Sequence, residues 1–512
     1  MINSHKFKKI CYNGSFEIFI KDKMMKVSLK NVGMLDEAEF EVGDLTIICG
    51  ENNTGKTYAT YSLYGYLDFV NNDDSRFVVL EIIEDIVNQY KGFIDVVDEY
   101  TIKISLNSAK SIIDDLFDVI ISTYNNNLVE ILAGNIEDFK TSLFEINTKD
   151  MIIDIFKNIK KESSRQEIID FFKYSLQFEL TNFADDYFEF NYEKSKNQFN
   201  EKMQQDLEFR KQRFAFVLFA YIVFGMYPRA FILSAERTGA SMFRKELDVN
   251  KNEIVEKISR ANTKSIQQTV FNVLNSKYSR YPKPVKDNIY FVRELDEVSK
   301  KASFIKNESL PLHNEIIEVL YKIVGGKYVV SEVGVEFAPG AKQRITKGKF
   351  AIQRASSSVR SLLMLNYYIL NVAQKGDILM IDEPELNLHP SNQILMGRLI
   401  ALLVNAGIKV FITTHSDYIV REISNCIILN QLKNEQIATH LKRYDYNENY
   451  RLDYKKVKAY IAKYDKKSKK NTLDKVEITQ ANGIAMETFN EVIDETLEID
   501  KKITNMLLEM DK

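Results

Sequence analysis

The sequence predicts an α/β fold, a doubly wound, mainly parallel sheet with an antiparallel β subdomain and large helical insertions, and three observations support it. A β-branched run, Leu45 to Cys49 (LTIIC), runs into the loop GENNTGKT, and beyond it Ala59, Leu63, Tyr66, Leu67 and Val70 recur at helical spacing. After Ser358 the chain alternates between helical text (VRSLLMLNYYILNVA, NQILMGRLIALLVNA) and strand text (DILMID, KVFITTHS), the pattern of a parallel sheet covered by helices. Gly325-Gly326 opens KYVVSEVGVEFAPG, whose alternation predicts a β-hairpin.

Taken in order, Lys26 to Cys49 reads as strands separated by turns, so residues 1–70 form the first part of the sheet-bearing unit. Residues 71–227 read as a mostly helical insertion, with Ile, Leu and Phe at helical intervals. Within it FAFVLFAYIVFGMY, Phe214 to Tyr227, falls short of the roughly 20 residues of a membrane-spanning helix and predicts a buried one. RAFIL, Arg229 to Leu233, predicts a returning strand within 228–241, and SAERTG follows it. Residues 242–324 read as a second, more charged helical insertion, broken by YPKP at Tyr281 to Pro284. Residues 325–434 hold the second part of the sheet and end in a further expected strand, CIILN at Cys426 to Asn430. Residues 435–512 read as a charged tail or small helical subdomain, with nine lysines between Lys455 and Lys475 and an acidic stretch from Glu487.

Composition excludes several classes. With 512 residues, 45% of them hydrophobic and 28% charged, the chain has ample apolar material for cores, which rules out a fibrous or wholly disordered protein. Lys plus Arg number 69 against 72 for Asp plus Glu, so no global basic field favours nucleic acid or an anionic membrane. Cys11, Cys49 and Cys426 lack metal-type spacing and fit a reducing compartment. The opening MINSHKFKKI is polar and no apolar signal region follows, so a cytoplasmic protein without a membrane anchor is expected.

The chemistry concentrates in three places. Gly50-x-x-x-x-Gly55-Lys56-Thr57 is a P-loop: small residues let backbone N–H groups curl around phosphates at the positive end of the following helix. Lys56 is expected on the β and γ phosphates and the Thr57 hydroxyl on Mg2+, with Asn53, Thr54 and Tyr58 completing the nucleotide contacts. In DILMIDEP the apolar run Ile378 to Ile381 delivers two carboxylates at a strand end, where burial is costly unless charge chemistry uses them. Asp382 is then expected in the Mg2+ shell and Glu383 on the attacking water. His415 closes the strand KVFIT one helix later, on the neighbouring strand, where it would sense the γ-phosphate.

GENNTGKT, MIDEPELNLHP (Met380 to Pro390), ITTHS and ASSSVRSLLML (Ala355 to Leu365) together resemble the ABC-type ATPase head of the RecF, SMC and OLD-like branch, as found in prokaryotic anti-phage defence. The resemblance covers about residues 24–70 and 328–430 and leaves the middle unassigned. It implies that His415 is the switch histidine, Glu383 the catalytic glutamate, and Asn387 part of a loop crossing a dimer interface. The family's signature turn carries glycines after its first serines, whereas here Ser356-Ser357-Ser358 runs into Val359 and Arg360. Ser357 and Ser358 at a helix start still make an anion site for a second copy's nucleotide, and an ordinary serine N-cap explains the same residues. SAERTG resembles the strand and turn before the Q-loop region; Glu236 and Arg237 either approach the nucleotide or form an exposed ion pair.

The resemblance implies ATP and Mg2+ as cofactors and a homodimer, or a larger homo-oligomer, formed through the heads. Two functions follow from it. One is the sensor or control subunit of an anti-phage defence system whose effector, such as a nuclease, is a separate protein. The other is a RecF-like DNA repair ATPase, for which Lys455 to Lys475 would bind phosphates; a solvated lysine-rich helix or linker accounts for those lysines too. A nuclease activity of its own is not expected, because no DxD pair with an upstream glutamate appears on apolar strands after His415.

Overall fold

The computed structural model describes residues 25–485, apart from 73–74, 91–93, 97–100, 148–177, 184–186, 193–206, 243–280, 332–333 and 341–347, together with 497–499 and 501–503. The opening ten residues, Cys11 and most of the acidic stretch from Glu487 lie outside the described residues. The chain divides into two compact units: residues up to 28 with 62–129 and 142–230, and residues 29–61, 130–141 and 231–512.

Strands β1 (Met25–Val32) and β2 (Leu35–Val42) turn on Gly33, at φ +58°. In β3 (Leu45–Gly50) every residue up to Cys49 is buried, as the unbroken apolar run requires of a central strand. The P-loop follows, then helix α1 (Lys56–Asn71).

The first unit continues with α2 (Arg76–Gln89), β4 (Ile94–Val96), β5 (Thr101–Ser105), α3 (Leu106–Leu132), β6 (Leu143–Asn147), β7 (Phe178–Phe183), β8 (Tyr187–Tyr192) and α4 (Leu207–Gly225). Its centre is aromatic. Tyr66 packs 5.3 Å from Tyr124, 5.1 Å from Phe144 and 5.2 Å from Tyr227, and its hydroxyl bonds that of Tyr227 at 3.0 Å. The apolar run after Phe214 is indeed a buried helix. The expectation of a mostly helical insertion is corrected: β4, β5, β8 and β7 form an antiparallel four-stranded sheet. These strands are only three to six residues long, and their alternation is swamped by the helical text around them.

In the second unit the chain returns through β9 (Ala230–Leu233) and the short helix α5 (Arg237–Met242), then α6 (Lys283–Arg293) and α7 (Pro311–Val324). Gly325, left-handed at φ +69°, caps α7 and starts the hairpin β10 (Gly326–Ser331) and β11 (Gly334–Pro339), with β12 (Phe350–Ala351) beside it. Next come α8 (Ser357–Tyr367), β13 (Ile378–Asp382), α9 (Pro390–Asn405), β14 (Lys409–Thr414) and α10 (Asp417–Ile428). Beyond α10 come β15 (Val457–Asp465), β16 (Lys470–Lys475) and a small pair, β17 (Ile478–Thr479) and β18 (Gly483–Ile484).

Within the second unit the main sheet follows the order β1-β2-β16-β15-β3-β14-β13-β9. Pairing is parallel from β15 through β3 and β14 to β13, and β15–β16 is antiparallel. Two expectations fail here. CIILN is not a strand: Ile419, Val420, Ile423, Cys426 and Ile427 fall on one buried helical face of α10, which Ser416 caps by accepting from the Ile419 N–H at 3.1 Å. Nor are residues 457–475 a tail or helix, because they supply two strands of the main sheet, wedged between β2 and β3.

Candidate functional site

The site lies where β3, β13 and β14 end together. Parallel register sets Asp382 opposite Thr413, and Thr414 opposite Cys49, so the P-loop and the acidic segment emerge from one sheet edge. Ligands of open parallel sheets sit at such carboxyl ends.

The loop is shaped for close backbone approach. Gly50 has φ +132° and Gly55 φ +91°; a Cβ on Gly55 would meet the Leu35 side chain at 2.5 Å. Asn53 is exposed and left-handed at φ +61°, and the Thr54 hydroxyl donates to the Glu51 carbonyl at 2.8 Å. Lys56 is buried at the start of α1, its Nζ donating to the carbonyls of Gly50 (3.2 Å) and Glu51 (2.5 Å). Burial lowers the pKa of this ammonium, against the pull of Asp382 and Glu383. The Tyr58 ring lies over Gly33.

Asp382 is the hub. It is buried, and both carboxylate oxygens accept hydroxyls: Oδ2 from Thr57 at 3.2 Å and Oδ1 from Thr413. Burial lifts its pKa to about 6; the Thr413 bond and Arg237 oppose the rise, and Glu383 and Glu236 add to it. Glu383 is half-buried at φ +53°, its N–H held by the Thr413 carbonyl at 3.0 Å. His415 Nε2 lies 4.0 Å from Glu383 Oε1. Burial and the Lys56 cation lower the histidine's pKa, which keeps the imidazole neutral at neutral pH.

Sequence reasoning missed two members. Glu385 accepts the Thr414 hydroxyl at 2.8 Å and the His415 N–H at 2.7 Å, fixing the turn into His415; the paired acids of Asp-Glu-Pro-Glu were the available signal. Tyr61 donates to Glu236 at 3.2 Å, and nothing in its helical context announces that bond. SAERTG folds against the site without the exposed Glu236–Arg237 ion pair. Glu236 is exposed and takes the Tyr61 hydroxyl, while Arg237 is buried and donates to backbone carbonyls.

At the start of α8, Ser356 is the N-cap, accepting from the Val359 N–H at 3.4 Å, and Ser358 exchanges a hydroxyl bond with it at 2.9 Å. Ser357 accepts from Arg360 Nη2 at 3.1 Å. Asn387 is exposed at φ +61° and reaches Thr238 at 3.4 Å.

Over residues 23–420 the sequence matches the AAA ATPase domain family. The chain belongs to that family. This AAA ATPase domain is a nucleotide-binding ATPase domain, and its α/β fold, a mostly parallel sheet flanked by helices, is the class the sequence predicts. No curated protein matches it in sequence. Among solved structures it is similar to an Smc head bound to the C-winged helix domain of ScpA, at 10% identity over 90% of this chain and 99% of that one, with a TM-score of 0.31. It is also similar to an Smc head domain with an extended coiled coil bound to the C-terminal domain of ScpA from Pyrococcus furiosus (12% identity, 94% and 99% covered, TM-score 0.28). Among the described residues no helix is long and apolar enough to cross a membrane.

Proposed function

We propose that the chain is an ATP-binding and hydrolysing switch of the ABC/OLD-like type, with Mg2+ as its metal, that works as a homodimer joined through its ATPase heads. The observation that carries this is Asp382: a buried carboxylate at a strand end, bonded by Thr57 of the P-loop and Thr413 of the next strand. These residues fit a magnesium nucleotide. Hard oxygen donors converge on one point, and a cation would offset the burial that raises the Asp382 pKa.

When bound at Thr57 and Asp382, Mg2+ would neutralise charge developing on the phosphates. The other roles belong to the chain. Lys56, which rests on loop carbonyls, exchanges them for phosphate oxygens. Glu383 takes a proton from, or orients, the attacking water, and neutral His415 beside it offers a hydrogen bond to the γ-phosphate. Ser357, Ser358 and Asn387, presented near the protein surface, are the contacts offered to the second copy's nucleotide.

The physiological role we infer is a sensor or control subunit of an anti-phage defence system with a separate effector, such as a nuclease; the sequence resemblance through DEPELNLHP supports it. For the competing RecF-like DNA role, five of the nine lysines of 455–475, Lys456, Lys458, Lys463, Lys470 and Lys475, pair with acids, and the other four are the ones such a role would draw on. Lys56→Ala is expected to abolish ATP binding, and Glu383→Gln to bind ATP but hydrolyse it at least about 10²-fold more slowly while accumulating dimer. Turnover assays with light scattering check both; equal hydrolysis by Glu383→Gln and the parent removes Glu383 from its role.

A further inference from the structure

One buried side chain beside the site joins three separate stretches of its backbone. Arg237, at the start of α5, is 3% exposed and donates to four backbone carbonyls: Ser234 at 2.9 Å and Asp382 at 2.6 Å from Nη1, Glu383 at 2.6 Å from Nη2, and Ser361 at 3.2 Å from Nε. Desolvating a guanidinium is costly unless its donors are used. Here all four bonds go to neutral peptide oxygens, so what the residue fixes is the course of the backbone.

Two of those carbonyls are consecutive. They flank Glu383, whose φ of +53° a non-glycine residue adopts only when its surroundings impose it. The rigid fork of an arginine matches two neighbouring acceptors, which the point charge of a lysine does not. The third attachment, Ser361, lies on α8 one turn after the serine triplet. Ser361 bonds back: its hydroxyl donates to the Leu386 carbonyl at 3.2 Å, so α8 and the segment 382–386 are tied at two points.

We propose that Arg237 is a positioning residue for hydrolysis, clamping the Asp382–Glu383 peptides to α8 so that the Glu383 carboxylate is aimed by the same helix that presents the serine triplet. A change at the serine-bearing end of α8 is thereby felt at the Glu383 peptides through the Arg237 guanidinium, beside the separate Ser361–Leu386 tie. The inference rests on Glu383 being the group that handles the attacking water.

The test separates aim from affinity. In Arg237→Ala, kcat for ATP falls by about 10²-fold, the scale of a misplaced catalytic group, while affinity for ATP changes by less than about threefold. Millimolar guanidinium chloride restores part of that kcat. Arg237→Lys, which keeps the charge and the stem, stays nearly as slow and is not rescued. A merely structural arginine gives the opposite pattern, a lower melting temperature with normal kcat in the folded fraction, and that result overturns the proposal. If Arg237→Ala does not fold, Arg237→Lys decides: normal turnover in it overturns the clamp. Normal hydrolysis by Glu383→Gln would instead remove the underlying reading, so the two failures are distinguishable.

Discussion

The P-loop strand β3 has two parallel neighbours that do opposite work. On one flank, β14 is buried from Val410 to Thr414, and its end supplies chemistry: Thr413 holds Asp382, Thr414 holds Glu385, and His415 follows. On the other flank, β15 supplies none of these groups. It supplies shape. Ala462 pairs with Gly50, and a Cβ on Gly50 would lie 2.1 Å from the Ala462 carbonyl oxygen. The Tyr460 carbonyl accepts from Cys49 Sγ at 3.3 Å, and its hydroxyl accepts from the Glu41 N–H at 2.8 Å. The P-loop is therefore moulded by a strand beyond residue 420, where the match to the family ends.

The strongest way to break this comparison is to remove the second flank. A chain ending at Asn434 lacks β15 and β16, and it uncovers β2 and β3 where Val457, Ala459, Tyr460 and Ala462 are buried. It is expected to aggregate or to melt without a cooperative transition, as measured by size exclusion and circular dichroism. A folded, ATP-binding truncation would show that β15 is dispensable.

Point changes sharpen the contrast. Gly50→Ala puts a Cβ against a backbone oxygen at a left-handed φ, so about 2–4 kcal/mol of stability and more than tenfold in ATP affinity are expected to be lost. Thr413→Val on the other flank keeps the shape of β14 but deprives Asp382 of a hydroxyl. It should lower kcat by about tenfold and move stability by about 1–2 kcal/mol. Denaturant melts and turnover assays on the two variants check whether shape and chemistry divide in this way.

The same contrast explains what the sequence revealed. β3, β13 and β14 are continuous apolar runs, so their burial, and the P-loop, the carboxylates and the histidine at their ends, were readable in one dimension. β15 was not. Its lysines suggested a solvated segment, although Val457, Ala459, Tyr460 and Ala462 face the interior, and its partners lie far back in the chain; Glu41 is 419 residues from Tyr460. Arg237 eluded sequence reading for a related reason. A Glu-Arg pair in a turn looks solvated, and only the folded chain brings Ser361, Asp382 and Glu383 to its donors.

The subtlest difference between the flanks is their response to acid. Burial raises the pKa of Glu41, but Lys458 at 3.1 Å and Lys475 at 3.6 Å outweigh it, and the net shift is downward. A carboxylate whose folded pKa is depressed contributes stability above its unfolded value, near 4.5, and that contribution is lost as pH falls through the folded value. Asp382 has the opposite sign: raised to about 6, it binds a proton more readily in the folded chain, so falling pH between about 6 and 4 favours the folded state on the β13–β14 side. Below pH 4, amide exchange corrected for its intrinsic pH dependence should therefore speed up in residues 457–475 before it does in 409–414. The shift is expected to be under about 1 kcal/mol, because these ion pairs are partly solvated. Glu41→Gln should erase it. Equal loss of protection on both flanks, or a segment 457–475 that outlasts β14, would show that ion pairing does not fasten β15 to the sheet.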